Sequence, residues 1–268
     1  MTENPKRRHA AALQSLSHLV SVVTPACNEA RHIRRVVHSV AAQTVEVREH
    51  IIVDDGSTDE TLAILDCLKE RFPNLVVISQ TRQGAAAARN RGIAVARGRY
   101  IAFLDANDVW HERKVERQIG FMEQTGRHFT YGDYVEVGHF TRRIMKQYTL
   151  PPSVGYRQLL RGCPIGCLTA AYNQEALGKR YMPQVNSGHD WGLWLDLTRD
   201  GIRAWKYPGV EAAYSNGRPS LSSRKFRKAV NIYRIYRESE GFSRALSVVR
   251  AVQHSLVALA KKAGLLYH

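Results

Sequence analysis

The chain has 268 residues, of which 44% are hydrophobic and 24% charged, a balance that suits one globular domain with a sizeable core and excludes wholesale disorder. No apolar run reaches the roughly 18–20 residues that a membrane-spanning helix needs, no secretory signal is expected at the start, and four cysteines are too few for a disulfide scaffold. The formal net charge of +15 indicates a polyanionic partner of one of three kinds: nucleic acid, an anionic membrane surface or a phosphorylated ligand.

The first half of the chain alternates short apolar runs with segments of helical periodicity, after a flexible basic leader predicted over residues 1–17. Strands are predicted at residues 19–24, 50–54, 75–78 and 100–104. Helices are predicted at residues 29–43, from a cap at Ser57 or Thr58 through Leu68, and at residues 85–97. This alternation predicts a parallel sheet with helices on both faces, and such sheets bind ligands beyond the carboxyl ends of their strands.

Polar residues stand at three of these predicted strand ends. They are Thr24-Pro25-Ala26, Asp54-Asp55-Gly56 and Asp105-Ala106-Asn107-Asp108. Because parallel strands end at one edge of the sheet, we expect the three segments to line one crevice. Asp54 is interpreted as a cap of local backbone amides, which leaves Asp55 for a ligand. Asp105 and Asn107 have the spacing and oxygen atoms of a site for a hard divalent cation, although so short a motif also occurs without metal.

The pattern changes after residue 110. A helix is predicted at residues 111–125, strands of mixed polarity at 129–134 and 135–148, and a further strand at 210–214. Another helix is predicted to begin near His189, and its Trp191 and Trp194 are interpreted as core residues. The four cysteines are interpreted as free thiols, because the isolated C-x3-C of Cys163 and Cys167 has no second pair with which to hold zinc.

Four linked segments of the first half carry a family resemblance. They are Val20–Glu29, Ile52–Asp59, Gly84–Gly92 and Tyr100–Asp108. In order and spacing they resemble the motif series of family 2 glycosyltransferases. Three segments of the second half resemble the bacterial cell-envelope members of that family, the teichuronic-acid-type glycosyltransferases. They are Pro164–Thr169, His189–Leu195 and Tyr214–Ser223.

The resemblance implies an α/β GT-A fold with a Rossmann-like nucleotide-binding half and a mixed central sheet. We expect the GT-A domain at residues 18–221, with the nucleotide-sugar half at 18–110 and the acceptor half at 111–221. A basic, amphipathic helical extension is expected at residues 222–268. The implied activity is inverting transfer of a sugar from a nucleotide-diphosphate sugar, UDP-linked, to an acceptor hydroxyl in cell-envelope polysaccharide or lipid-linked glycan synthesis.

Site residues carry over by position in the resembling motifs. Thr24, Pro25 and Ala26 would line the nucleotide pocket, mostly through their backbone. Glu29 would lie beside the ribose or base, Asp55 would hydrogen-bond the base, and Arg89 would lie near the diphosphate. Asp105 and Ala106 would complete the donor site, Asp105 and Asn107 would hold Mn²⁺ or Mg²⁺, and Asp190 matches the catalytic base. Arg218 either reaches the diphosphate as a charge-assisted donor or is a solvated loop arginine.

Two positions depart from the family pattern. Asn107 stands where an aspartate is usual, so the metal ligand lacks a charge, and Asp108 could assist through a water molecule. His189 stands where a glutamate is common, directly before the presumed base. One base suffices for the implied chemistry, because the acceptor hydroxyl attacks the anomeric carbon in line and only its proton must be taken up.

Residues 222–268 hold ten basic and two acidic side chains, so this segment carries +8 of the net charge. Residues 244–262 form an amphipathic pattern. Its apolar side holds Ala245, Val248, Val249, Val252, Leu256, Leu259 and Ala260, and Arg250, His254 and Lys261 lie opposite. Such a helix either lies in an anionic membrane interface or packs on its own domain with a solvated basic face.

The membrane alternative implies a cytoplasmic protein that is peripheral on the inner membrane. Two further hypotheses stay open: a nucleotide-sugar-binding protein with lost turnover, suggested by Asn107, and a basic nucleic-acid-binding protein. The chain has no reader motif for nucleic acid, so no nucleic acid partner is expected.

Overall fold

Four buried strands form the parallel half of the main sheet. The protein is represented by a computed structural model, which describes residues 13–138, 143–216 and 223–262. The strands are β1 (Val20–Ala26), β2 (Glu49–Asp55), β3 (Leu75–Gln80) and β4 (Tyr100–Phe103), and they lie side by side in the order β3-β2-β1-β4. All three pairings are parallel, as the alternating pattern predicts.

Helices α1 (Ile33–Ala41), α2 (Thr61–Lys69) and α3 (Ala85–Val95) connect these strands. The apolar positions expected to share one face of α1 are all buried. The predicted cap of α2 is wrong, because Ser57 and Thr58 bind Asn28 instead. The Asn28 backbone N–H donates to Ser57 Oγ (2.9 Å), and the Asn28 side chain accepts from the Thr58 N–H (2.8 Å). These contacts tie the loops after β1 and β2 together, so the helix begins only at Thr61.

The second half of the chain extends the same sheet and adds a smaller one. The additional strands are β5 (Val109–Trp110), β6 (Phe129–Tyr131), β7 (Tyr134–Gly138), β8 (Ile144–Tyr148), β9 (Ser153–Val154), β10 (Ala171–Asn173), β11 (Ala204–Lys206) and β12 (Ala212–Asn216). Strand β10 pairs antiparallel with β4, and the main sheet continues as β10-β6-β11-β9. The smaller sheet has the order β5-β12-β7-β8. The sequence pattern did not predict β5, β9, β10 or β11, because strands of two or three residues are too short to show a period.

The remaining helices are α4 (Lys114–Thr125), α5 (Tyr156–Leu159), α6 (Gln174–Leu177) and α7 (His189–Thr198), with a 3₁₀ turn at Cys167–Thr169. Helix α7 begins at His189 as predicted, and both of its tryptophans are buried. The Trp194 ring centre lies 5.1 Å from that of Phe129 and 5.7 Å from that of Phe103, so this helix packs on the sheet beside β4 and β6. The four cysteines are free thiols.

The C-terminal segment is a helical hairpin that packs on α7. Helix α8 (Ser223–Arg234) continues into a π-helical turn (Ile235–Ser239), and α9 (Arg244–Lys262) follows after a break at Gly241, which has φ +69°. Within the described residues, no helix is long and apolar enough to span a membrane.

Helix α9 packs on its own domain, with Arg250 and His254 half-buried on the inner side and Val248, Val249 and Val252 exposed. The solvated basic face predicted for this packed arrangement is therefore not the face that these two residues form, while the membrane alternative stays a prediction. The side chains of Leu259, Ala260 and Lys261, which also belong to the predicted pattern, lie outside the described part of the structure.

At the other end of the chain, the predicted leader lies largely outside the described residues. Its last part, residues 13–16, is helical. Leu13 and Leu16 are partly buried and pack against the core, so this portion is attached to the domain rather than loose.

Candidate functional site

The carboxyl ends of β2, β1 and β4 lie next to one another at one edge of the main sheet. Residues 24–26, 54–56 and 105–108 therefore meet there, and Ala26 lies in register with Asp54. Thr24 is fully buried, and its hydroxyl lies 3.0 Å from His50 Nε2. Because that side chain is occupied inside the protein, the β1 end can offer a ligand little beyond its backbone.

Glu29 follows the β1 end and is partly exposed. Its carboxylate lies 2.8 Å from His32 Nδ1, one turn away. Its backbone N–H donates to Thr61 Oγ1 (2.8 Å), the first residue of α2. These contacts fix the loop that would border a nucleotide, while the carboxylate stays accessible to solvent.

The two adjacent aspartates at the β2 end have different partners. Asp54 accepts from the Ser57 N–H at 3.2 Å, which is the local cap expected of it. Asp55 accepts from the backbone N–H groups of Gln83 (2.7 Å) and Gly84 (2.8 Å) and from the Gln80 side chain (2.8 Å). Burial by itself would raise the pKa of Asp55, but these hydrogen bonds lower it below its usual value.

Asp55 therefore anchors the loop that leads into α3. Gly84 precedes this helix with φ +97°, a conformation that favours glycine. The anchoring role of Asp55, and with it Gln80 and Gln83, escaped the sequence analysis. The only available signal was the short distance in the chain between the β3 end and the Gly84 motif.

Arg89 on α3 links the two halves of the site. Its side chain is 5% exposed, and its Nη2 donates to Asp105 Oδ1 at the β4 end. Its Nη1 lies 2.6 Å from Nε2 of His189, one hundred residues away at the start of α7. Arginine stays protonated in proteins, so His189 Nε2 must accept this hydrogen bond and the ring is neutral. Its proton then sits on Nδ1, which faces the Val185 carbonyl at 3.3 Å.

The electrostatic surroundings agree with a neutral His189. Burial and the neighbouring Arg89 charge lower the pKa of His189. His189, which stands where the family commonly has a glutamate, is therefore a neutral hydrogen-bond acceptor for Arg89. The ion pair of Arg89 is formed with Asp105.

The β4 end divides its side chains between the crevice and the smaller sheet. Asp105 is one-third exposed at the crevice, and Ala106 is buried. The Asn107 side-chain Nδ2 donates to the Ser215 carbonyl (3.3 Å), and the Asn107 backbone carbonyl accepts from Arg35 Nη2 (2.7 Å). Asp108 is buried and accepts from the Ser215 N–H at 2.8 Å, so it holds β12 rather than facing a ligand.

Burial and repulsion from Asp105 raise the pKa of Asp108 well above its usual range. The expectation that Asp108 assists a metal ion through water finds no support in this placement. Asp105 and Asn107 supply one carboxylate and one amide oxygen at most. No cluster of three or more His, Cys, Asp or Glu side chains suited to a metal occurs in the described ranges. This set fits an ion that takes most of its ligands from water and phosphate, as Mg²⁺ commonly does, and not a preformed metal centre.

Asp190 occupies the first turn of α7, directly after His189. Gly188 caps this helix with φ +76°, and the helix dipole at this end favours a negative charge. Asp190 and Asp105 both interact electrostatically with Arg89. Cys167 lies within the same electrostatic reach of these three groups, a neighbour that the sequence analysis did not identify. Arg218 lies outside the described residues.

Comparisons with known proteins agree with this architecture. A model of the glycosyl transferase family 2 matches residues 21–180. A Bacillus subtilis protein named as a teichuronic acid biosynthesis glycosyltransferase, TuaG, is 37% identical over 225 residues, which cover 83% of this chain and 88% of that protein. Escherichia coli WfaP, named as a UDP-Glc:alpha-D-GlcNAc-diphosphoundecaprenol beta-1,3-glucosyltransferase, is 34% identical over 79% of this chain and 83% of its own length.

Solved structures share the fold at low sequence identity. TarS of S. aureus, in complex with UDP-GlcNAc, superposes with a TM-score of 0.67 at 19% identity, over 88% of this chain and 71% of that one. The mannosyltransferase PcManGT from Pyrobaculum calidifontis, in complex with GDP-Man and Mn²⁺, superposes with a TM-score of 0.62 at 17% identity, over 93% of this chain and 80% of that one. These similarities confirm the predicted GT-A fold. With a family model that spans more than half of its length, the chain belongs to glycosyl transferase family 2 and is a glycosyltransferase.

Proposed function

We propose that this glycosyltransferase moves a sugar from a UDP-sugar to a hydroxyl of a lipid-linked acceptor in cell-envelope polysaccharide synthesis, with inversion at the anomeric carbon. One observation carries the proposal. Arg89 joins Asp105, at the edge where a nucleotide-diphosphate would lie, to His189, which stands directly before Asp190. One guanidinium thereby connects the donor-side carboxylate of Asp105 to the helix turn that carries Asp190, as a transfer between two substrates requires.

The donor occupies the edge formed by β1, β2 and β4. The backbone of Thr24, Pro25 and Ala26 lines the nucleotide pocket. Asp55 accepts a hydrogen bond from the uracil through a lone pair that it does not use for the loop before α3. Glu29 borders the ribose. The TarS complexes with UDP-GlcNAc and UDP support a uridine nucleotide by similarity of fold.

Asp190 acts as the general base. It accepts the proton of the acceptor hydroxyl while that oxygen attacks the anomeric carbon, and the bond to the diphosphate breaks on the opposite side. Asp190 stands in the first turn of α7, where its carboxylate lies at the positive end of the helix dipole. The products are the glycoside, the nucleoside diphosphate and a protonated Asp190 that returns its proton to water.

The developing negative charge lies on the diphosphate. Arg89 and Arg218 are the cationic side chains proposed to face it. Asp105 and Asn107 would hold Mn²⁺ or Mg²⁺ together with phosphate oxygens, and the ion would supply further positive charge against the leaving group. The Mn²⁺ complex of PcManGT supports a metal by similarity of fold.

The acceptor class rests on the named relatives. WfaP and WfgD are both named for transfer to a GlcNAc-diphosphoundecaprenol, a lipid-linked sugar. An acceptor of this kind is confined to a membrane, so the enzyme would work at the cytoplasmic face of the inner membrane, in contact with anionic lipid through residues 222–268. No nucleic acid enters this function.

A thermal-shift screen of sugar nucleotides with and without Mn²⁺, followed by a transfer assay, tests the proposal. UDP-glucose with a GlcNAc-diphosphoundecaprenol acceptor is the first pair to use. We expect stabilisation by UDP and UDP-sugars and release of UDP that depends on the acceptor. Nucleotide binding without turnover on any lipid-linked acceptor would instead favour a nucleotide-sugar-binding protein, and absence of nucleotide binding would contradict both.

A further inference from the structure

The C-terminal hairpin leaves an apolar groove open to solvent. Val248, Val252 and Leu256 recur at every fourth residue of α9 and are 52%, 53% and 60% exposed. Val230 on α8 is 41% exposed beside them. Together with Tyr233 they line a groove of about 350 Å³ between the two helices. Contiguous exposed apolar surface of this kind marks an interaction site more often than isolated apolar residues do.

The orientation of α9 makes this surface informative. Its inner side carries small or polar residues: Ser247 is fully buried, Ala251 is 8% exposed, and the His254 ring lies 4.5 Å from that of Trp191. A terminal helix that only had to attach to its own domain would bury its valines, because burial of apolar area is the main source of such packing energy. Among the described side chains, helix α9 does the reverse and presents Val248, Val249 and Val252 outward.

The charge of the hairpin identifies the partner. Residues 223–262 carry ten basic and two acidic side chains. Glu238 forms an ion pair with Arg234, and Glu240 forms one with Arg199 outside the hairpin. Six of the basic residues stand at the start of α8 and the end of α9. A cationic hairpin with an outward apolar stripe has the complementarity of an anionic bilayer surface, where acyl chains receive the valines and headgroups receive the cations.

We infer that the groove between α8 and α9 docks on an anionic lipid bilayer and thereby places the catalytic turn of α7 at the membrane. This inference rests on the proposed lipid-linked acceptor. The inner side of the hairpin contacts that turn directly, because Asn231 donates to Ser187 Oγ (2.9 Å) and Ile235 packs beside Gly188. The bilayer would then lie roughly one helix diameter, about 10 Å, from the residues that precede Asp190.

Sedimentation with vesicles tests the docking face on the full chain. The probes are vesicles of phosphatidylcholine alone and vesicles with about 30% phosphatidylglycerol. The test variant is V252D/L256D, and the matched control is V95D, since Val95 is also an exposed valine (43%) but lies at the end of α3. We expect the wild type and V95D to bind the anionic vesicles at least about tenfold more strongly than the neutral ones, and V252D/L256D to lose about tenfold or more of that binding.

Each alternative outcome is separable. Equal vesicle binding by V252D/L256D and wild type would overturn the inference. A wild-type dimer that V252D/L256D dissociates, with no vesicle binding, would assign the groove to a second copy. That result would overturn docking on a bilayer. Thermal stabilisation by UDP, measured on the same variants, shows that they fold. Its absence in the wild type would count against the proposed function and leave the vesicle result standing.

Discussion

Arg89 is the side chain on which the assembled site depends most, and its replacement by methionine gives a quantitative test. Methionine keeps much of the apolar volume but removes the donors to Asp105 and His189. A charge-assisted hydrogen bond contributes roughly 1.5–3 kcal/mol. Asp105 is one-third exposed, so water replaces part of the hydrogen bonding that its carboxylate loses with Arg89. The buried Arg89 Nε has no hydrogen-bond partner, so its removal also relieves a desolvation cost.

We therefore expect R89M to lower the free energy of unfolding by about 1–2 kcal/mol, which corresponds to a fall in Tm of roughly 2–8 °C for a chain of this size. UDP-sugar binding should weaken as well, because Asp105 is left uncompensated beside the diphosphate. Calorimetric unfolding and titration of UDP-glucose measure the two effects. Arg91 lies on the exposed side of the same helix, so R91M serves as the control and should stay within about 0.5 kcal/mol of wild type.

A double-mutant cycle with D105N separates the ion pair from the loss of packing. If Arg89 and Asp105 stabilise each other, D105N should cost less in the R89M background than in the wild type, with a coupling of about 0.5–3 kcal/mol. Additive effects, or an R89M protein as stable as R91M, would show that the Arg89 guanidinium does not hold the two sides of the site together.

Three further predictions address the fold, its pH dependence and the metal. A Cβ at Gly92 would lie 2.5 Å from Val23 Cγ1, whereas a Cβ at Gly120 would make only ordinary contacts. In urea unfolding, G92A should therefore lower the free energy of unfolding by about 1–3 kcal/mol, and G120A should raise it by up to about 1 kcal/mol. Equal effects of the two substitutions would contradict the close approach of Gly92 to Val23. Burial lowers the pKa of His50 to about 3, below its unfolded value near 6.5. Because only the unfolded chain takes up this proton between those two values, the free energy of unfolding should fall by about 2 kcal/mol between pH 7 and pH 5. The H50Q variant should lose this pH dependence. If its free energy of unfolding falls as much as that of the wild type, His50 is not the cause. N107D should tighten Mn²⁺ binding by about tenfold in a thermal-shift titration with UDP present, and EDTA should suppress wild-type activity until Mn²⁺ is restored; no change in either would exclude the proposed metal residues.

Elements with a clear hydrophobic period were predictable from the sequence. Helix α1 buries Ile33, Val36, Val37 and Val40, because a spacing of three and four residues places them on one face. The meeting of the strand ends was also predictable, because parallel strands finish at one edge of the sheet. The position of Asp55 at that edge followed from this rule. Its hydrogen-bond partners, in the loop before α3, did not.

Features that depend on distant contacts were not predictable. The link between Arg89 and His189 spans one hundred residues and has no local signature. The short strand β10 gains its place from pairing with β4, not from its own three residues. Periodicity also identifies the apolar side of α9 without saying which side packs, and here Ala251 faces inward while Val252 faces out. Packing on the domain, and not propensity, decides each of these cases.

Replacement of Asp190 by asparagine tests whether this side chain takes the proton of the acceptor hydroxyl. Asparagine keeps the shape of the side chain but cannot serve as the base, and its effect on stability should stay within about 1 kcal/mol. The measurement is acceptor-dependent release of UDP together with the affinity for the UDP-sugar. We predict unchanged donor binding and a fall in transfer of at least about 10²–10⁴-fold. Transfer at the wild-type rate by a D190N protein that binds donor normally would show that Asp190 is not the base.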